Sequence, residues 1–137
     1  MKKVDQRSAA VILVDKNRVL LQLRDNIPNI VYPGYWSIPG GKIEDSENAK
    51  DASKRELKEE TGYVADKVVL LKKEIYSLDD GRIIERNIFW TKYDGQQKIE
   101  CFEGQKMKFK NLDEMGRMKL YPGHLKFIKE AIKLAQK

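Results

Sequence analysis

The amino-acid sequence predicts an α/β fold in which a mixed β-sheet is sandwiched between α-helices. Three observations lead to this prediction: aliphatic strand-like segments open the chain, a charged helix-forming segment follows, and an amphipathic helix ends it. The chain has 137 residues, and 41% of them are hydrophobic, which is enough for one core. We therefore expect a single domain over residues 1–137.

The first third of the chain is predicted to contain two strands and a loop. Residues 8–14 and 19–23 are rich in aliphatic side chains, and the polar residues 15–18 between them suit a turn. Residues 24–35 contain prolines and a glycine among polar residues, so we expect a loop there. Residues 36–38 then form a short extended piece that ends at a Pro-Gly-Gly sequence.

The clearest predicted element is a helix between Asn48 and Gly62. Asn48 can accept an N-cap hydrogen bond, and Asp51 places an acidic residue three positions later, in a capping-box arrangement. Residues 52–60 consist largely of strong helix formers. Gly62 stands where a left-handed C-terminal cap belongs, so the helix should end there.

The second half of the chain is predicted to contain a hairpin, a short strand and a terminal helix. Residues 64–77 and 83–93 are rich in strand-forming residues and flank an Asp-Asp-Gly turn. Residues 107–109 should add a short strand, and an amphipathic helix should follow Gly123. Four apolar residues repeat at helical spacing and are assigned to the core side of this helix: Leu125, Ile128, Ile132 and Ala135.

Composition narrows the classes of function. The formal charge of +6 suggests polyanionic partners such as nucleotides or nucleic acid. No segment approaches the run of about 18 apolar residues that a membrane span needs, and no signal-peptide pattern follows the basic N-terminus. We therefore expect a cytoplasmic protein with no membrane partner. The single cysteine, Cys101, excludes an internal disulfide, and we expect it half-buried on a late strand.

Three glutamates in the predicted helix are candidates for chemistry. Glu56, Glu59 and Glu60 lie at positions i, i+3 and i+4, so a helix places their carboxylates on one face. Like charges at this spacing destabilise an isolated helix, whereas Mg²⁺ binds carboxylate oxygens and completes its coordination with water and phosphates. The spacing alone leaves two interpretations open: a metal site that accepts phosphate oxygens, or a solvated acidic face.

The residues around these glutamates resemble the signature motif of the Nudix hydrolases, G-x5-E-x7-R-E-L-x-E-E-x-G. Eight residues stand at the fixed positions of the motif: Gly41, Glu47, Arg55, Glu56, Leu57, Glu59, Glu60 and Gly62. Tyr63 stands where the motif usually ends on an aliphatic residue. Residues 38–44 and 103–105 are similar to segments of the MutT-like branch, and weaker similarity covers residues 20–124. The resemblance implies the Nudix fold.

The resemblance also implies a site for Mg²⁺, or for Mn²⁺ in its place. Its metal ligands would be the Gly40 carbonyl and four carboxylates: Glu56, Glu59, Glu60 and Glu103. Arg55 would belong to the catalytic set by pairing with Glu47 or by holding a carboxylate in place. One of the glutamates would act as the base, and the family pattern leaves open whether this is Glu103 or a residue of the helix.

Four further residues are candidate substrate contacts: Arg24, Tyr35, Lys42 and His124. Arg24 matches a position where MutT-like enzymes often contact the nucleotide, and Tyr35 belongs to an aromatic cluster that could stack on a base. His124 stands near the place where MutT, after which the branch is named, has an asparagine that recognises guanine. Histidine lacks that paired donor and acceptor, so 8-oxo-dGTP specificity does not transfer automatically. Exposed surface positions are the alternative for Arg24 and Lys42, and a partly exposed position in the first turn of the last helix is the alternative for His124.

The reaction that the resemblance implies is hydrolysis of a diphosphate bond in a nucleotide or another nucleoside-diphosphate-linked small molecule. The leading prediction, from the MutT-like length and the similarity at residues 103–105, is a (deoxy)nucleoside triphosphate that is cleaved to a nucleoside monophosphate and pyrophosphate. Nucleotide sugars, ADP-ribose, dinucleoside polyphosphates and 5′-triphosphate RNA ends are alternative substrates. A non-catalytic nucleotide-sensing domain is an alternative of another class, although the motif keeps every glutamate. A monomer and a homodimer are equally compatible with the sequence.

Overall fold

The structure, a computed structural model, describes residues 3–137, which form a seven-stranded mixed sheet with helices on both faces. The strand order is β3-β2-β1-β6-β5, with β4 paired to β1 and β7 paired to β2. The strands are β1 (Gln6–Asp15), β2 (Arg18–Leu23), β3 (Trp36–Ser37), β4 (Gly40–Lys42), β5 (Val69–Ser77), β6 (Ile83–Lys92) and β7 (Lys106–Asn111). The helices are α1 (Ala49–Thr61), α2 (Leu112–Met115) and α3 (His124–Ala135).

The centre of the sheet is the parallel pair β1 and β6, and the other strand pairs are antiparallel. Side chains of β1 alternate between two cores because successive residues of a strand point to opposite faces. Val11 and Leu13 belong to the core under α1, whereas Ile12 and Val14 belong to the core under α3. The predicted mixed sheet between helices is therefore confirmed.

The first helix forms where the sequence predicts it. The Asn48 side chain accepts a hydrogen bond from the Asp51 N–H at 2.8 Å, and Gly62 has a left-handed backbone with φ of +80°. Both predicted caps are confirmed, although the Asp51 carboxylate accepts from the Asn48 side chain, at 3.2 Å, and not from its backbone. Buried Ala52 and Leu57 pack α1 against the sheet.

The strand predicted from residue 64 begins later, at Val69. The Gln97 side chain explains the difference, because its amide pairs with both backbone polar groups of Val64. Its oxygen accepts from the Val64 N–H at 2.8 Å, and its nitrogen donates to the Val64 carbonyl at 2.9 Å. The Gln97 side chain thus satisfies the backbone groups of Val64 that a neighbouring strand would otherwise bind.

The terminal helix is confirmed, but one residue of its predicted core side is wrong. Ile128 is fully buried and Ile132 and Ala135 are half-buried, whereas Leu125 is 40% exposed. The fully buried positions follow a stripe that starts one residue earlier: His124, Phe127, Ile128 and Ala131. Leu125 lies about 100° around the helix from His124, which turns it away from the sheet.

Two further features differ from the sequence prediction. The four-residue helix α2 was not predicted, and Asn111 caps it by accepting from the Glu114 N–H at 2.8 Å. Cys101 is exposed in the loop before β7, because the chain there leaves the sheet between β6 and β7. Within residues 3–137, no helix has the length and apolar character needed to cross a membrane.

Candidate metal centre and the adjoining cleft

Three carboxylates from two parts of the chain converge at one end of the sheet. Glu56 and Glu60 lie one turn apart on α1, and Glu103 lies in the loop that precedes β7. One oxygen of each carboxylate lies within 4.8 Å of the others, and no other such group of three occurs in the described chain. The Gln22 side chain donates to the Glu103 carbonyl at 3.0 Å and so holds this loop against β2.

Burial makes it unfavourable for all three carboxylates of this cluster to be ionised without a bound cation. Glu60 is only 2% exposed, and its Oε2 has no hydrogen-bond partner within residues 3–137. Burial, followed by the neighbouring Glu103 and Glu56, raises the pKa of Glu60 to about 10. Burial also raises the pKa of Glu56, although Arg55 opposes the change. The cluster therefore needs a proton or a cation, and three carboxylate oxygens are the donors that a hard divalent cation prefers.

Glu59 lies apart from these three carboxylates. Its side chain is 58% exposed, and its carboxylate accepts from Arg55 Nη1 at 3.1 Å. The i, i+4 pair Glu56 and Glu60 faces Glu103, whereas position i+3 is turned toward the arginine. The role of Glu59 as a metal ligand thus stays a prediction.

Arg55 connects the loop before α1 to the carboxylates of the helix. Its Nε and Nη2 donate to the two oxygens of Glu47 at 2.6 and 2.8 Å, which confirms the predicted pair. Its Nη1 donates to Glu56 at 3.0 Å as well as to Glu59, and Nη2 reaches the Lys42 carbonyl at 3.0 Å. This bidentate contact, helped by the Glu44 backbone, lowers the pKa of Glu47 to about 2.

The two glycines of β4 allow the backbone to approach the cluster. A Cβ on Gly41 would lie 2.6 Å from the Glu56 carboxylate, and a Cβ on Gly40 would lie 2.6 Å from the Ala10 Cβ. The Gly40 N–H lies beside the Glu60 carboxylate and opposes the rise in its pKa. The predicted role of the Gly40 carbonyl as a ligand stays a prediction.

A cleft of about 280 Å³ adjoins the cluster, with Gly40 and Gly41 in its wall. Three of the four predicted substrate residues line it: Arg24, Lys42 and His124. Tyr35 is not among the lining residues, because its ring packs against Tyr32, with 5.2 Å between the ring centroids. The sequence prediction therefore brings three of its four candidates to one place.

His124 lies in the first turn of α3, but it is buried and not partly exposed as its alternative assumed. It is 6% exposed, and its Nδ1 accepts from the Ile38 N–H at 3.3 Å. Its ring stacks on Tyr121, with 4.5 Å between centroids and 15° between planes. Burial, followed by the positive charges of Arg86 and Arg24, lowers the pKa of His124 to about 3. The imidazole is therefore neutral at physiological pH.

Arg86 is the main cleft residue that the sequence prediction missed. Its Nε donates to Glu74 at 2.9 Å, and its guanidinium carbon lies 4.8 Å from the Tyr76 ring centroid and 5.3 Å from that of Phe127. A signal was present in the sequence, because Arg86 stands between two aliphatic residues at i−2 and i+2 of a strand. Charged side chains are rarely buried without a partner, so a cation on the inward face of a strand indicates a position with a specific contact.

The model of the NUDIX domain matches residues 4–131 of this chain. The chain is 30% identical over 111 residues to an uncharacterized Nudix hydrolase, YvcI of Bacillus subtilis, a match that covers 76% of this chain and 70% of that protein. It therefore belongs to the Nudix family.

Two further comparisons place the chain on the MutT-like side of the family. A putative 8-oxo-dGTP diphosphatase of Bacillus subtilis is 35% identical over 60 residues, which is 44% of this chain and about a third (36%) of that relative's length. The MutT protein of Methanosarcina mazei superposes with a TM-score of 0.79 at 20% identity, covering 100% of this chain and 99% of that one. The superposition shows the predicted Nudix fold, and the sequence comparisons support a MutT-like member of the family.

Proposed function

We propose that this protein is a Nudix hydrolase that cleaves a (deoxy)nucleoside triphosphate to a nucleoside monophosphate and pyrophosphate with Mg²⁺. The observation that carries the proposal is the convergence of Glu56, Glu60 and Glu103 beside a cleft of about 280 Å³ whose wall includes cationic side chains. The relative named as a putative 8-oxo-dGTP diphosphatase supports the same class of substrate.

The carboxylate cluster fits a divalent cation on three counts. Its donor set is all oxygen, its oxygens lie within 4.8 Å of one another, and Glu60 Oε2 lacks a partner within residues 3–137. Mg²⁺ suits such a site because it binds a few carboxylates and keeps positions for water and phosphate, and Mn²⁺ accepts the same ligands. When bound, the cation would neutralise the charge of the diphosphate and make the attacking water more acidic.

The residues of the chain supply the base, position the carboxylates and bind the phosphates during hydrolysis. The oxygen of water attacks one of the two phosphorus atoms that flank the bridging oxygen, the bond from that phosphorus to the bridging oxygen breaks, and the departing phosphate group keeps the bridging oxygen and the electron pair. A carboxylate of the cluster takes the proton of the water, since His124 is buried with its Nδ1 occupied. Arg55 fixes the position of Glu56. Arg24 and Lys42 in the cleft wall add positive charge where phosphates would bind.

The proposal is tested with purified protein, Mg²⁺ and a substrate panel. The panel contains the common nucleoside triphosphates, 8-oxo-dGTP, ADP-ribose, a nucleotide sugar, a dinucleoside polyphosphate and a 5′-triphosphate RNA. We expect pyrophosphate and a monophosphate from at least one triphosphate, with loss of activity in EDTA and recovery on adding Mg²⁺. Release from ADP-ribose or the nucleotide sugar alone would replace the proposed substrate class. Tight binding without turnover of any compound would favour a sensing domain.

A variant of the buried glutamate tests the metal centre itself. Glu60→Gln keeps the shape of the side chain but removes the charge, so kcat should fall at least about 100-fold while the melting temperature stays the same or rises. Glu130→Gln makes the same change at an exposed position of α3 and should leave activity unchanged. Wild-type activity in Glu60→Gln would show that this cluster is not the catalytic metal site.

A further inference from the structure

A row of lysines lies on the edge strand β7, on the face of the sheet that carries α3. The lysines stand at alternate positions of the strand: Lys106, Lys108 and Lys110. Met107 between them packs into the core under α1, so the lysines point to the opposite face. The strand register agrees, because Lys108 pairs with Leu21, which belongs to the core under α3.

Two aromatic rings lie close to lysines on this face. Trp36 packs against the core under α3, and Lys110 Nζ lies 5.4 Å from the centroid of the Trp36 ring. Lys119 Nζ lies 5.9 Å from the centroid of the neighbouring Tyr35 ring. Six residues thus form what we call the basic–aromatic surface: Tyr35, Trp36, Lys106, Lys108, Lys110 and Lys119.

The lysines of the basic–aromatic surface carry charge that the chain leaves largely unbalanced. Within residues 3–137, the only ion pair that any of them makes is that of Lys110 with Glu114, at 3.9 Å. The other three lysines are exposed. Tyr35 and Trp36 are half-buried, so part of each ring is open to solvent. The surface therefore presents positive charge and aromatic faces together, and the net charge of +6 adds attraction for polyanions at longer range.

Tyr32 connects the basic–aromatic surface to the cleft. Its ring centroid lies 5.2 Å from that of Tyr35 and 4.9 Å from that of Tyr121, which lines the cleft. The Tyr32 side chain is 41% exposed. The two regions are therefore neighbours, and a test of the surface has to distinguish its ligand from a nucleotide in the cleft.

We propose that the basic–aromatic surface binds single-stranded nucleic acid, independently of the hydrolysis proposed above. Proteins hold single strands by combining cations for the phosphates with aromatic rings on which bases stack. Alternate residues of a β-strand lie about 6.8 Å apart, so the lysines of β7 are spaced like successive phosphates of an extended single strand. Tyr35 and Trp36 supply the rings. A duplex fits poorly, because its bases are already stacked on one another.

Fluorescence anisotropy with an oligothymidylate of about 12 nucleotides, labelled at its 3′ end, tests this binding. The oligonucleotide has a 5′-hydroxyl and the buffer contains EDTA, so neither a diphosphate nor a metal-dependent reaction contributes. We expect saturable binding with a Kd on the order of 1–100 µM at about 100 mM salt. The slope of log K against log[salt] should be about −2 to −3, because each neutralised phosphate contributes about −0.7. Absence of binding would overturn the inference.

Three competitors identify the kind of ligand. A duplex of the same length should bind at least about tenfold more weakly than the single strand, and equal affinity would mean that the rings take no part. An excess of thymidine monophosphate should not displace the oligonucleotide, and displacement would place the strand in the cleft and overturn the inference. Vesicles that contain phosphatidylserine carry negative charge but no bases. Binding of these vesicles without binding of the oligonucleotide would identify a membrane surface instead.

Two double variants with the same change in net charge assign the binding to this surface. Lys106→Glu combined with Lys108→Glu should weaken binding at least about tenfold and make the salt slope less steep by about 1.4, the contribution of two phosphates. Lys129→Glu combined with Lys133→Glu reverses two exposed lysines of α3 and should change the Kd by less than about threefold. Equal losses in the two double variants would mean general attraction to a basic protein and would overturn the assignment.

Tyr35→Leu tests the contribution of stacking. Leucine keeps an apolar side chain beside Tyr32 but has no aromatic face, so binding should weaken about fivefold or more. The salt slope should stay the same, because it reports phosphate contacts only. Thermal melting reports whether the variant folds, and if it does not, the comparison of single strand with duplex decides. A folded Tyr35→Leu with wild-type affinity would exclude stacking on this ring.

Discussion

The carboxylate cluster and the cleft lie side by side at Gly40 and Gly41, yet the chain builds them in different ways. Two of the three cluster residues come from a single turn of α1, and one arginine beside them fixes that turn to the preceding loop. The cleft takes its walls from the loop after β2, from β6 and from α3, so it depends on the whole sheet. The carboxylate cluster thus depends mainly on one helix and the loop before it, whereas the cleft depends on how the strands and helices pack.

The largest effect expected from this difference comes from Gly41→Ala. The added Cβ would meet the Glu56 carboxylate at 2.6 Å, so that ligand must move. A displacement of about 1 Å at a catalytic centre costs on the order of 100-fold in rate, which is the loss in kcat that steady-state kinetics should show. Gly116→Ala is the control, because its Cβ would meet only a backbone oxygen at 3.4 Å. An active Gly41→Ala would mean that the Glu56 position is not critical.

Arg55→Lys should have the next largest effect. Lysine keeps the positive charge but cannot hold Glu47, Glu56 and Glu59 together, because it lacks the planar fork. We expect a loss of about 10- to 100-fold in Mn²⁺ affinity and in activity, the range for residues that orient metal ligands. Calorimetry with Mn²⁺ measures the first and turnover the second.

Lys58→Ala changes an exposed residue of the same helix and serves as the control for Arg55→Lys. The ratios of kcat/KM among the nucleoside triphosphates should stay the same in Arg55→Lys, because the cleft is built separately. A changed ratio would break the division between the two regions.

His124, in the wall of the cleft, should make the free energy of unfolding depend on pH. The pKa of His124 is about 3 in the folded protein, below the value of 6.5 that is usual for histidine, so the unfolded chain binds more protons between these values. Its contribution to stability is therefore complete above about pH 6.5 and is lost as the pH falls toward 3. Below pH 6, the slope approaches about 1.4 kcal/mol per pH unit.

Denaturant unfolding at several pH values measures this slope. His124→Phe should show a flatter decline in the free energy of unfolding between pH 6.5 and 4 than the wild type. Parallel curves for the two proteins would mean that His124 already carries a proton in the folded state.

The smallest effect is expected at the N-cap of α1. Asn48→Ala removes the hydrogen bond to the Asp51 N–H and should lower the free energy of unfolding by about 1 kcal/mol. Asn48→Asp restores a capping side chain and should recover most of this loss. Both variants should keep the wild-type ratios of kcat/KM among the nucleoside triphosphates, and a change in these ratios would show that α1 also shapes the cleft.

The sequence was informative where structure depends on neighbouring residues. Asn48 and Gly62 cap α1 as predicted, because capping involves backbone groups within a few residues. Glu103 could be assigned only through the resemblance to the MutT-like branch, since 43 positions separate it from Glu60. The resemblance also implied that Glu59 is a metal ligand. In the structure its carboxylate accepts from Arg55 and lies apart from the other three, so this role stays a prediction.

The sequence was less informative where tertiary contacts decide. No local pattern shows that Gln97 pairs with Val64, so the late start of β5 could not be predicted. His124 is buried because α3 packs against the sheet. The buried side of that helix therefore includes His124 and not the predicted Leu125, which is the next residue. Arg86 is held at the cleft by Glu74 and Tyr76, which belong to the neighbouring strand β5 and are not close to it in the sequence.

The contacts of Arg55 have a consequence for how this protein would respond to its ligand. A guanidinium has five N–H groups, and here each of them has an acceptor within the chain: one on Nε, two on Nη1 and two on Nη2. No donor is left over for a phosphate. Arg55 should therefore make no direct hydrogen bond to a ligand. Its side-chain NMR resonances should shift less than those of Arg24 when a nucleotide is added.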